Sequence, residues 1–178
     1  MTYMKYVFIF LTIPFLLHAQ SEKLQPIGTV ATYVISCPCK LFKYYEKGEM
    51  FYYCKDRKSN TDYKVKEFKH KDGLDILLNT INKNLLRKSD STIINNNNNK
   101  LINEYASKNP KGFIINFLGG KAIIINEKNE KKIFFSDIDL LASYEITISN
   151  NNPDSLNFFF TKSINSLLPK RKNLKTIF

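Results

Sequence analysis

Gly112-Phe113-Ile114-Ile115-Asn116-Phe117-Leu118-Gly119-Gly120-Lys121-Ala122-Ile123-Ile124-Ile125-Asn126 is the stretch whose reading decides the fold. Two runs rich in β-branched and aromatic residues, Phe113 to Leu118 and Lys121 to Asn126, flank Gly119-Gly120. A two-residue glycine loop between such runs specifies a β-hairpin, because hairpin turns need positive φ and glycine adopts it without steric cost. Both runs are apolar at consecutive positions, which places this hairpin centrally in a sheet covered on both faces. Glu127 to Glu130 turns the chain into a third strand, Lys131 to Phe135, and Tyr144 to Ser149 reads as one more.

Upstream, the same patterning gives a β-meander. Ile27 to Ile35 is β-branched and aromatic and reads as one strand. Lys40 to Tyr45 and Met50 to Lys55 flank Glu46-Lys47-Gly48-Glu49, and Asp62 to Lys69 alternates Tyr63, Val65 and Glu67 against Lys64, Lys66 and Phe68. A helix then opens at Asp72, a good N-cap, with Asp75 near the positive end of the helix dipole. Leu74, Leu77, Leu78, Ile81 and Leu85 form its apolar stripe, and Arg87 and Lys88 suit its negative end. Ser89 to Lys100 contains Asn95 to Asn99, five consecutive asparagines, and reads as a mobile surface loop at about 89–100. A short helix follows from about Lys100 to Ser107. The last helix begins at Asn152-Pro153-Asp154, runs through Leu156, Phe160, Ile164, Leu167 and Leu168, and stops at Pro169. The expected class is α+β: a mostly antiparallel sheet packed with two to three helices, in one domain over 20–178.

The amino end carries an address. Lys5 is its only charge, Tyr6 to Leu17 is apolar, and Ala19 is the small residue before Gln20. That order is a secretory signal peptide over 1–19, too short for a membrane span, which needs about 20 apolar residues. The leader ending in Ala19-Gln20, followed by abundant Lys, Asn and Ile, resembles exported proteins of AT-rich Bacteroidota. The resemblance implies a periplasmic or extracellular location in a Gram-negative cell, and it names no function. Cleavage of 19 of the 178 residues leaves no transmembrane span in the reading, and enough chain to bury a core.

Charge narrows the partners. The chain has 27 Lys+Arg against 16 Asp+Glu, a net charge of +11. In that compartment the excess favours an acidic envelope or secreted protein, an acidic glycan or lipopolysaccharide, and not cytoplasmic nucleic acid. The densest basic patch is Lys170, Arg171, Lys172 and Lys175, after Pro169.

Three cysteines, Cys37, Cys39 and Cys54, lie in the first meander, where an oxidising compartment favours one disulfide. If Tyr45 to Gly48 forms a four-residue loop, Tyr44 faces Glu49 and Cys39 stands opposite Cys54. A two-residue Lys47-Gly48 loop would set Glu46 against Glu49, and like charges directly opposite repel. The expected bridge is therefore Cys39–Cys54, with Cys37–Cys54 as the alternative and Cys37 as a thiol open to redox or Cu(I) chemistry beside Pro38.

Little else points to catalysis. His70 is the only histidine after the leader and lies between Lys69 and Lys71, which suits a solvated surface better than a triad. Asp137 and Asp139 could form a carboxylate pair, but Ser136 or Asp137 better suits the cap of a short helix that includes Leu140 and Leu141. Gly119-Gly120 lacks the Lys-Ser/Thr of a phosphate loop. The expectation is a non-enzymatic exported protein with no catalytic residues, metal or cofactor, which binds or supports another macromolecule, as an inhibitor or immunity protein does. A periplasmic thiol-redox or copper-handling protein is the alternative, and glycan or lipopolysaccharide binding a further one.

Overall fold

The computed structural model describes residues 23–29, 33–69, 88–136 and 142–170. The leader, the Asp72 helix, His70, Asp137, Asp139, Arg171, Lys172 and Lys175 lie outside the described residues. Within them the chain forms two antiparallel sheets and two helices, and no helix is long and apolar enough to cross a membrane. The strands are β1 (Lys23–Ile27), β2 (Tyr33–Cys37), β3 (Phe42–Glu46), β4 (Glu49–Asp56), β5 (Thr61–Lys69), β6 (Phe113–Phe117), β7 (Gly120–Asn126), β8 (Glu130–Ser136), β9 (Ala142–Ser149) and β10 (Leu168–Pro169). The helices are α1 (Lys88–Lys108) and α2 (Pro153–Asn165).

The larger sheet has seven strands in the order β3-β4-β5-β9-β8-β7-β6. It joins two meanders, β3–β5 and β6–β9, through the β5–β9 pair, in which Val65 stands opposite Ile146. One face carries Tyr52, Val65, Ile146, Ile133 and Ala122 toward a core closed by β2 and by α2. Alternation puts every second residue of these strands on that face. The three-stranded sheet, order β1-β2-β10, lies over the same side and contributes Ile27, Tyr33 and Ile35. Helix α2 starts as its sequence suggests: Asn152 Oδ1 accepts from Ser155 N at 2.9 Å, and Pro153 opens the first turn. Its stripe of Leu156, Phe160 and Ile164 is buried, but the helix ends at Asn165 rather than at Pro169, because Leu168 and Pro169 pair with β2 as β10.

Other expectations are corrected as well. Ile27 to Ile35 is not one strand: Ile27 and Tyr33 face each other across the β1–β2 pair, and Gly28 has φ +92, a bend other residues resist. The β3–β4 register is also different, because the turn is the two-residue Lys47-Gly48, with Glu46 opposite Glu49. Both turn residues have positive φ, +49 and +84, the arrangement whose twist matches antiparallel strands. Lys66 Nζ, 2.7 Å from Glu49 Oε2, offsets the repulsion that argued against this turn.

The second hairpin turns at Leu118-Gly119, since Phe117 pairs with Gly120. Its outer strand β6 is an edge strand with Phe113 and Ile114 exposed, not a strand covered on both faces. Finally, residues 88–108 are helical, so the expected loop at about 89–100 is the first half of α1. Asparagine is a poor helix former, but packing overrides propensity. Asn98, Ile102 and Tyr105 fall at i, i+4 and i+7, one helix face. Asn98 and Ile102 are buried, and Ile102 packs with Ile123 and Phe134. The Tyr105 ring stacks on Phe134 at 4.0 Å.

Candidate functional site

The loop from β2 to β3 gathers the three cysteines. Cys37 ends β2, Cys54 lies inside β4, and Cys39 sits in the loop between. Gln25 of β1 holds this loop: its Nε2 donates to Cys39 O at 2.6 Å, and its Oε1 accepts from Leu41 N at 2.7 Å. The sulfurs of Cys39 and Cys54 are at disulfide distance, with Cα atoms 6.0 Å apart. These are the two cysteines of the expected bridge, but the register that led to them is not the one observed. Cys39 precedes β3 and reaches Cys54 from the loop rather than from a facing strand position. Cys37 Sγ lies 3.0 Å from Cys54 Sγ, and the three Sγ atoms are all within 4.8 Å of one another. Reduced, this set could hold a soft cation, because thiolates select ions of that kind.

A few residues along, the open end of the large sheet presents aromatic side chains. Every residue of β3 is exposed, and Phe42 and Tyr45 keep 65% and 64% of their surface. Register makes rows across the face opposite the main core: Phe42, Tyr53 and Lys64, then Tyr44, Phe51 and Lys66. Tyr44 stacks on Phe51 at 5.2 Å. Lys64 Nζ lies 4.9 Å from the Phe51 ring, and Lys66 Nζ lies 4.4 Å from the Phe68 ring, both within cation–π range. On this side α1 covers β7 and β8, and its Tyr105 hydroxyl donates to Glu145 of β9. Burial, then the Glu145 hydrogen bond, pushes the Tyr105 phenol up from its ordinary value. Among the described residues Phe51 is buried beneath Tyr44, Lys64 and Lys66, Phe42, Tyr44 and Tyr53 of these rows stay exposed, and β3 has a strand neighbour on one side only.

The outward backbone of β3 follows from its turn. In a two-residue hairpin the pair flanking the turn exchanges both hydrogen bonds, and such pairs alternate with pairs that do not. Glu46, Tyr44 and Phe42 therefore bond to β4, while the N–H and C=O groups of Tyr45 and Lys43 point away from the sheet. The edge is a ladder with charged and aromatic flanks.

Several acidic groups elsewhere are engaged in structure. A cleft of about 260 Å³ at one end of the sheet includes Lys55, Asp62, Glu130 and Ser149 in its lining. There Asp62 accepts from Tyr53 Oη at 2.8 Å and pairs with Lys55, and Glu130 pairs with Lys132 at 2.7 Å. Those bonds raise the Tyr53 phenol and the Lys132 ammonium. Glu67 is buried on β5, where its Oε1 accepts from both Thr29 N and Thr29 Oγ1 at 2.8 Å and so fixes the β1–β2 connection to the sheet. Tyr52 beside it accepts from Gly28 N at 3.0 Å and is pushed up to about 12, first by burial and then by Glu67. Of the basic patch, Lys170 is exposed after β10.

The chain matches no family model, no curated protein and no solved structure. Sequence reading singled out the cysteines and missed the aromatic edge. The available signal was the density Phe42, Tyr44, Tyr45, Phe51, Tyr52 and Tyr53 within twelve residues, on both sides of one turn.

Proposed function

We propose that the chain is an exported, non-enzymatic protein that binds another envelope or secreted protein by adding a strand of that partner to β3. The observation that carries this reading is the exposed edge: five residues with outward N–H and C=O groups at Lys43 and Tyr45, flanked by Phe42, Tyr44 and Tyr45. Sheet edges of this kind recruit extended segments, with backbone bonds supplying affinity and alternate side chains supplying selectivity. Lys40, Lys43, Lys47, Lys64 and Lys66 surround the edge, so an acidic segment with apolar or aromatic residues at every second position complements it. The cysteine pair at disulfide distance supports an oxidising compartment for this encounter.

The test uses proline at the edge. Lys43→Pro removes an outward N–H and leaves the β4 ladder intact, since proline is tolerated at the solvent side of an edge strand. Immobilised residues 20–178 and this variant are compared for retention of proteins from an extract of the source cells. Ile114→Pro at the far edge, chosen on the same alternation, is the control. The reading expects a specific partner retained by the wild type and the Ile114→Pro protein and lost by the Lys43→Pro protein, at equal circular dichroism. Equal retention by all three contradicts it, as does turnover of a peptide, glycan or ester substrate by the purified protein. Retention that disappears uniformly with added salt would indicate polyanion binding instead.

A further inference from the structure

The three sulfurs are not disposed as one bridge and one remote thiol. Cys54 Sγ is bonded to Cys39 and lies 3.0 Å from Cys37 Sγ. Cys37 and Cys54 are each 2% exposed and set in β-strands, whereas Cys39 is half-buried in a loop. The loop is held by Gln25 through the Cys39 carbonyl and the Leu41 amide, contacts that do not involve any sulfur. A change of disulfide partner therefore leaves the backbone clamp in place.

We propose that Cys54 is shared, and that internal thiol–disulfide exchange moves its bond from Cys39 to Cys37. The Cys37 thiolate attacks Cys54 Sγ and the Cys37–Cys54 bond forms. The Cys54–Cys39 bond breaks, its electron pair leaves on Cys39, and Cys39 takes up the proton that Cys37 gave. One disulfide and one thiol stand on each side of the reaction, so no oxidant or reductant is consumed. The product is a buried Cys37–Cys54 bond and a solvent-reachable thiol at Cys39. Reaction with an external disulfide needs access as well as a thiolate, which Cys39 has and Cys37 lacks. Cys39 is thus the modification site, and its substrate class is a disulfide, on a small molecule or on a protein. Its place three residues before Phe42 puts that thiol beside the open β3 edge.

The probe is Ellman's reagent, an aromatic disulfide, applied to native oxidised protein, followed by acid quenching and peptic digestion at low pH to freeze exchange. The expected result is one equivalent of released thiolate, with the aromatic adduct on Cys39 and a Cys37–Cys54 linkage in the peptide map. Cys37→Ser and, as a second variant with smaller polarity, Cys37→Ala lock the Cys39–Cys54 bond and are expected to lose this reaction at least tenfold in rate. Three results would overturn the proposal: an adduct on Cys37 with Cys39–Cys54 intact, no adduct until denaturant is added, or undiminished labelling of Cys39 in both variants.

Discussion

The two outermost hairpins of the large sheet use the same device and meet different surroundings. Both turn in two residues with positive φ, Lys47-Gly48 in one and Leu118-Gly119 in the other, and both end the sheet with an edge strand. In the β6–β7 hairpin, Ile115 and Phe117 pack on the main core, and Ile123 is buried under α1. In the β3–β4 hairpin, all of β3 is exposed, while β4 supplies Tyr52 and Cys54 to the core. One edge is built into the fold. The other is held by its ladder and by the Cys39–Cys54 link, and its own side chains contribute little burial. A strand retained with so little packing has its aromatic surface left over for something else.

That contrast breaks most sharply if equivalent truncations cost the same at both ends. Ile123→Ala, at a fully buried position, is expected to lower stability by about 2–5 kcal/mol, the usual cost of such a cavity. Phe42→Ala, at a position 65% exposed, is expected to change it by no more than about 0.5 kcal/mol. Urea midpoints at unchanged slope measure both. A loss above about 2 kcal/mol for Phe42→Ala would show that β3 is packed after all.

A smaller effect probes the close approach of α1 to the far hairpin. A Cβ on Gly120 would meet Asn98 Nδ2 at 2.6 Å, so Gly120→Ala is expected to cost about 1 kcal/mol and to cost less when Asn98→Ala is also present. Additive losses in that double-mutant cycle would mean the helix does not press on this glycine. A gain rather than a loss is expected at the turn. Leu118 holds φ +48, a region that disfavours leucine and tolerates asparagine. Leu118→Asn is expected to raise stability by about 0.5–1 kcal/mol, read as a higher thermal midpoint. A fall would show that the half-exposed leucine side chain contributes more than its backbone strain costs.

Much of the sheet was legible because period-two patterning and glycine positions survive any tertiary context. β4, β5, β8 and β9 fall where alternation and β-branched runs place them, within a residue or two. α2 was legible because Asn152 and Pro153 mark its start. Register was less legible. The repulsion of Glu46 and Glu49 across the Lys47-Gly48 turn is visible locally, whereas Lys66, which offsets it, is brought to Glu49 by another strand. The asparagine tract misled for the same reason: its helix is supported by Ile123 and Phe134, some twenty to forty residues away. Of the candidate site, the cysteines were legible by type and spacing, but the 3.0 Å approach of Cys37 to Cys54 depends on β2 crossing onto the sheet. The aromatic edge was invisible as a site because six aromatic residues in a strand pair read equally well as core. Only the strand order at the end of the sheet leaves Phe42, Tyr44, Tyr45 and Tyr53 exposed, while Phe51 and Tyr52 are buried.

Whether β3 is an open edge is tested most directly by amide hydrogen exchange of the isolated protein, residue by residue along that strand. Alternating protection is expected: slow exchange at Phe42, Tyr44 and Glu46, whose N–H groups bond to β4, and near-unprotected rates at Lys43 and Tyr45, which slow when a partner segment binds. Slow exchange at Lys43 and Tyr45 in the isolated protein would mean that the edge is already covered, and would contradict the proposed mode of binding.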